Sequence, residues 1–172
     1  MSNASPPQPT WKPAVTVAAV IEHNGLFLMI EEETHEGLRI NQPAGHLEPG
    51  ESLIEACVRE TLEETAHDFT PNALVGTYLS RNLSKTQYKH PSFLRFAFCG
   101  VIGAAHARAL DEGIVRTMWM SRDELAACRE RHRSDLVLRC VDDYLAGQRA
   151  PLALVYSDPS VYQGDVQGSQ QA

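Results

Sequence analysis

Residues 45–67 read GHLEPGESLIEACVRETLEETAH. Pro49-Gly50 mark a turn, and Ser52 with Glu55 forms S-x-x-E, a capping box that starts a helix just after Glu51. On that helix Glu60, Glu63 and Glu64 stand at i, i+3 and i+4, so they share one face within an arc of roughly 100°. Ile54, Val58, Thr61, Leu62 and Thr65 fall on the opposite, packing side, with Cys57 near the boundary. Like charges at this spacing repel one another. The pattern makes sense if a cation sits among the carboxylates, whose hard oxygens suit Mg²⁺ or Mn²⁺. A glutamate-rich face is also what a solvated helix surface looks like, with Arg59 pairing to Glu63 at i+4. The residues before the helix decide between the two: Gly45 precedes Glu51 by six positions and Glu51 precedes Arg59 by eight.

Glycine loop, turn, acid, capped helix, Arg-Glu, Glu-Glu: this order resembles the Nudix box, G-x5-E-x7-R-E-U-x-E-E-x-G-U with U aliphatic. Gly45, Glu51, Arg59, Glu60, Glu63 and Glu64 match it in register. Thr61 stands where an aliphatic residue is usual, Ala66 replaces the glycine and His67 the final aliphatic residue. A glycine at position 66 suits a left-handed helix terminus, which alanine adopts at a cost of ~1 kcal/mol. The helix is therefore expected to leave differently, running on toward Asp68.

The resemblance extends over about residues 12–155, including Trp119 to Leu125, and implies an α/β fold, the Nudix α/β/α sandwich around a mixed central sheet. It implies Glu60 and Glu64 as direct metal ligands, Glu63 as a ligand or the base, and the Gly45 carbonyl as a further ligand. Glu51 would pair with Arg59 and orient the helix. Glu112 is the expected additional catalytic acid, with Asp111 as its rival. The implied metal is Mg²⁺, with Mn²⁺ as the alternative. Lys12-Pro13 with VTVAAVI, EEET at 31–34, NQPAGHLE at 41–48, FLRF at 93–96 and GQR-x-PL at 147–152 are similar to a phosphatase branch of the family. That branch is implied to act on nucleoside tri- and diphosphates and on the pyrophosphate of the thiamine pyrimidine precursor, releasing orthophosphate. A pyrophosphohydrolase of another nucleoside diphosphate derivative is the alternative. A Nudix-fold binding module without turnover is a second, and such modules usually lose box carboxylates that this chain keeps.

With 172 residues and a net charge of -7, one domain is the default. The acidity argues against a general nucleic-acid or membrane-surface binder. The expected partner is a phosphorylated small molecule, and the chain a monomer or homodimer. Cys57, Cys99, Cys128 and Cys140 have no zinc or redox spacing and read as reduced thiols of a cytoplasmic protein. No charged-then-apolar leader opens the sequence, and the longest uncharged apolar run, Phe96 to Ala105, is too short to span a bilayer.

Residues 1–13 read as an extended tail, 14–155 as the hydrolase domain and 156–172 as a disordered polar tail. Val15 to Glu22 and Leu26 to Glu32 read as strands joined through His23-Asn24-Gly25, followed by a charged loop through Glu36. Asn41 to His46 reads as a short strand ending in a tight bend. Leu74 to Ser80, Ser92 to Val101 and Ile114 to Met120 read as strands. Helices are expected after the cap Ser121, with Glu124 completing the box, and from Ser134 to Leu145. The loop Arg81 to His90 is the one basic, partly aromatic segment. It reads either as an ordinary hairpin loop or as a substrate loop, with Lys85 on phosphate and Tyr88 stacked on a ring. Arg95, inside an apolar strand, needs a partner, either a structural ion pair or a substrate phosphate. Trp119 is a further candidate for gripping the organic group.

Overall fold

The computed structural model describes residues 11–81 and 92–163. After β1 (Ala14–Val20), the short β2 (Glu22–His23) turns into β3 (Leu26–Thr34) through Asn24 (φ 52°) and Gly25 (φ 80°). Two consecutive left-handed residues match the right-handed twist of the strands they join, and Asn-Gly supplies them at little cost. β4 (Gly37–Asn41) follows directly. The acidic run from Glu31, expected as a charged loop, is therefore strand through Thr34 with only a tight turn at His35-Glu36. Distant arginines explain the difference. Buried Glu31 accepts hydrogen bonds from Arg116 at 2.8 Å and from Arg131, and Glu32 lies 3.6 Å from Arg133.

β5 (Ala44–His46), β1, β7 (Ser92–Ala105) and β6 (His67–Arg81) form one sheet in that spatial order. β1 runs parallel to β7, while β5 on β1 and β6 on β7 are antiparallel, so this sheet is mixed. β3 pairs antiparallel with β2, β4 and β8 (Ile114–Ser121) in a second sheet. Side chains alternate across each strand. Val17, Ala19 and Phe98 pack with Leu28 and with Ala56 and Cys57 of α1 (Leu53–Thr65). Ala18, Val20, Ala97 and Cys99 pack with Leu125 of α2 (Arg122–Ala127) and with Val137, Cys140 and Val141 of α3 (Leu136–Leu145). One helix thus covers one face and two cover the other, the α/β/α arrangement with a mixed sheet that was expected.

Both capping boxes are present, Ser52 with Glu55 and Ser121 with Glu124. The exit of α1 departs from expectation: Ala66 itself takes the left-handed conformation (φ 58°, ψ 27°), and the helix stops at Thr65. Its N–H bonds to Leu62 O at 2.9 Å and its carbonyl accepts from His106 N at 2.7 Å, contacts that hold it there. The packed side of α1 is also rotated from the expected one. Ala56, Cys57, Thr61 and Thr65 are buried together with Glu64, while Ile54, Val58 and Leu62 are only half-buried. The polar segment after residue 155 does not leave the domain at once. Asp158 caps a short 3-10 turn, Pro159–Tyr162, and Tyr162 donates to Glu55 at 2.9 Å.

Candidate active site

The site is assembled by Arg59. Its Nε and Nη2 donate to the two carboxylate oxygens of Glu51 at 2.9 and 2.8 Å, a bidentate pair of the strong, planar kind. Nη2 also reaches the His46 carbonyl at 3.0 Å, and Nη1 donates to Glu60 at 2.8 Å and Glu63 at 3.0 Å. The hydrogen bonds from Arg59 hold the Glu51 carboxyl below its ordinary range. Glu60 keeps the same guanidinium yet is pushed up, because burial outweighs Arg59 and the Glu63 and Asp111 charges add to it.

β5 lies across the C-terminal half of α1, and Gly45 is what allows the approach. A Cβ there would stand 2.1 Å from the Glu60 carboxyl carbon. The neighbouring Ala44 N–H donates to Glu64 at 2.7 Å. Under β5, Glu64 is only 8% exposed, so it does not stand on an exposed helix face as the periodicity implied. Burial pushes its carboxyl up to about 9, with the charges of Glu60, Glu32 and Asp111 acting the same way against the Ala44 hydrogen bond.

The structure thus brings Gly45, Glu51, Arg59, Glu60, Glu63 and Glu64 together. Of the two acids offered before β8, Asp111 is the one at the cluster: its N–H donates to Glu63 O at 3.0 Å and its charge acts on both Glu60 and Glu64. Glu112 is exposed on the turn beyond it. Lys85 and Tyr88 lie outside the described residues. Trp119 is 40% exposed beside His23 and does not line the cavity described next.

Arg95 is buried on β7 and lines a cavity of about 530 Å³, with Thr16, Glu32, Asn41 and Arg133 among its walls and Ala44, Gly45 and His46 along the β5 side. Among the described residues Arg95 forms no ion pair, so the structural partner expected for it is not found there. Thr16, Glu32, Asn41 and Arg133 escaped the sequence reading. Asn41 stands in the segment leading to the box, but nothing local shows that it lines one cavity with Thr16 of β1 and Arg95 of β7.

Among the described residues, no three acidic, histidine or cysteine side chains stand close enough together to hold an ion as they are. Arg59 occupies the space between Glu51, Glu60 and Glu63 instead. The donor chemistry nevertheless fits a hard divalent cation: carboxylate oxygens, two of the carboxyls partly or wholly buried, on side chains flexible enough to swing.

Residues 10–140 match the NUDIX domain family. Phosphatase NudJ of Escherichia coli K12 is 36% identical over 146 residues, spanning 84% of this chain and 92% of that protein. A NUDIX hydrolase from Nitrosomonas europaea is 47% identical and superposes with a TM-score of 0.81, covering 86% of this chain and 98% of that one. A MutT NUDIX hydrolase from Burkholderia pseudomallei shares the fold at 16% identity and a TM-score of 0.64, over 77% of this chain and 98% of its own.

Proposed function

This chain belongs to the Nudix hydrolase family, and on that footing we propose that it is a metal-dependent phosphohydrolase releasing orthophosphate from nucleoside tri- and diphosphates and from the pyrophosphate of the thiamine pyrimidine precursor. The observation that carries the reading is the gathering of Glu60, Glu63 and Glu64 beside Gly45, with Arg59 held in place by Glu51. The choice of products is supported by the likeness to phosphatase NudJ over most of both chains.

In this proposal Glu60, Glu64 and the Gly45 carbonyl hold Mg²⁺, with Mn²⁺ as a substitute. The ion, when bound, neutralises phosphate charge and lowers the pKa of water. The protein's residues divide the rest. Arg59 keeps its bidentate grip on Glu51 and its bond to the His46 carbonyl, so α1 and β5 stay in register when Nη1 gives up Glu60 and Glu63. Glu63, less buried than Glu64, is a further ligand or takes the proton from the attacking water. Asp111 adds negative charge to the cluster from the β8 side. Arg95 lies in the neighbouring cavity, where the rest of the substrate is held.

The test is orthophosphate release from a panel of nucleoside di- and triphosphates, the thiamine precursor pyrophosphate and thiamine diphosphate, with Mg²⁺ and with excess EDTA. Orthophosphate that appears with Mg²⁺ and is abolished by EDTA is expected. Full turnover in EDTA, or release of only a nucleoside monophosphate and pyrophosphate, would overturn the reading.

A further inference from the structure

β4 and β5 are joined by Gln42 and Pro43 alone. Proline removes one N–H and disfavours helical backbone at the residue before it, so the link is stiff. Each residue from 42 to 45 is then fixed by a group distant in sequence. Gln42 Nε2 donates to the Val137 carbonyl of α3 at 2.7 Å. The Pro43 carbonyl accepts from Ala19 N of β1 at 2.9 Å. Ala44 N–H donates to Glu64 of α1 at 2.7 Å, and Gly45 lies against the Glu60 carboxyl. Of the three hydrogen bonds, the one from Gln42 alone is made by a side chain of this segment, so it alone depends on which side chain stands there.

Stability does not explain that side chain. Gln42 is 1% exposed, and among the described residues its Oε1 has no hydrogen-bond partner. A buried acceptor left unpaired costs at least as much as an ordinary hydrogen bond contributes. The amide is therefore no net gain to the fold, and a methionine of similar volume would pack in its place without the unpaired oxygen. What the amide adds is direction. It is anchored on α3, which packs on one face of the sheet, and it fixes the start of the strand that meets α1 on the other.

We propose that Gln42 is a positioning residue for the glutamate cluster. Its bond to Val137 O sets how β5 lies on α1, so that Ala44 N–H meets Glu64 and the Gly45 carbonyl stands among the donors to the cation. The first half is a statement about the protein alone; the second rests on the phosphohydrolase reading. Groups that orient the ligands of a metal, without touching it, commonly change its affinity by 10–100-fold.

The variant Gln42→Met, made in the full chain, removes the donor and keeps the volume. Two measurements are needed, neither of them turnover. The first is amide hydrogen exchange of the metal-free protein, which reports local opening residue by residue. Ala44 N–H should exchange roughly tenfold or more faster in the variant, while Ala97 and Phe98 at the centre of the sheet keep their rates. The second is Mn²⁺ binding, read from the free-ion signal in electron paramagnetic resonance, whose affinity should fall roughly tenfold or more. Unchanged exchange at Ala44, an equal acceleration at Ala44 and in β7, or an unchanged Mn²⁺ affinity would overturn the proposal, the second because it marks a purely structural residue. Wild type supplies a check that needs no variant to fold. The Gln42 side-chain amide should be protected to within about tenfold of Ala44 N–H, since the two open together; a freely exchanging Gln42 amide beside a protected Ala44 would overturn the proposal as well. Wild-type protein that binds no Mn²⁺ would sink the phosphohydrolase reading, and exchange at Ala44 would then decide the hold of Gln42 on β5 by itself.

Discussion

Glu64 shows most clearly how environment turns one carboxyl among several into a distinct group. Ala44 N–H and the cover of β5 bury it, and burial raises its carboxyl to about 9. Without metal it is therefore protonated near neutrality, whereas in the unfolded chain it titrates near the ordinary glutamate value of 4.5. The folded state holds a proton that the unfolded state loses, so this group withdraws stability as pH rises from the unfolded value toward the folded one. A cation that uses Glu64 as a ligand must displace that proton. Calorimetric titration with Mg²⁺ near pH 7, in two buffers of different ionisation heat, should show about one proton released per ion. Glu64→Gln should then lose roughly 100-fold or more in turnover, with the fold as stable as before, since glutamine is neutral like the protonated acid and keeps an oxygen for Ala44. Glu55→Gln should leave turnover nearly unchanged, because glutamine also serves a capping box. Comparable rate losses in the two variants, or no proton release, would contradict the role given to Glu64.

At the scale of elements, the exit of α1 carries its own prediction. Ala66 occupies a left-handed conformation that glycine takes at no cost. Ala66→Gly should raise unfolding stability by about 0.5 kcal/mol, the relief of strain exceeding the loss of a small buried methyl. Denaturant unfolding checks it, and a destabilised variant would show that the alanine is unstrained. The sequence revealed what is local. Ser52 and Glu55 are three residues apart, Asn24-Gly25 form their turn alone, and the i, i+3, i+4 spacing put Glu60, Glu63 and Glu64 on one face. What it hid depends on distant partners. The Glu31 strand looked like a loop because Arg116 and Arg131 lie 85 and 100 residues further on. The burial of Glu64 needs β5 laid across the helix, and the position of Asp111 at the cluster needs the hydrogen bond to Glu63 O. Ala66 failed for the opposite reason: a local preference was read correctly and tertiary hydrogen bonds overrode it.

Across the whole molecule, β5 is the partition on which the proposed chemistry depends. Gly45 faces the glutamates of α1, while Ala44 and His46 line the cavity of Arg95. The acidic cluster and the cavity with its arginines are thus held a strand's width apart in a chain of net charge -7, and in the proposed chemistry a substrate spans both. No helix among the described residues is long and apolar enough to cross a membrane. The mixed sheet with helices on both faces was legible from the order of elements, whereas the parallel pairing of β1 with β7 that closes the cavity was not, since the paired residues are far apart in sequence. Which phosphorus is attacked follows from how the organic group is held relative to the glutamates, a property of the assembled fold and not of the box. Hydrolysis of ATP in ¹⁸O-labelled water with Mg²⁺ therefore tests the central claim most directly. The account predicts label in orthophosphate with ADP unlabelled; label in ADP, AMP or pyrophosphate would contradict it.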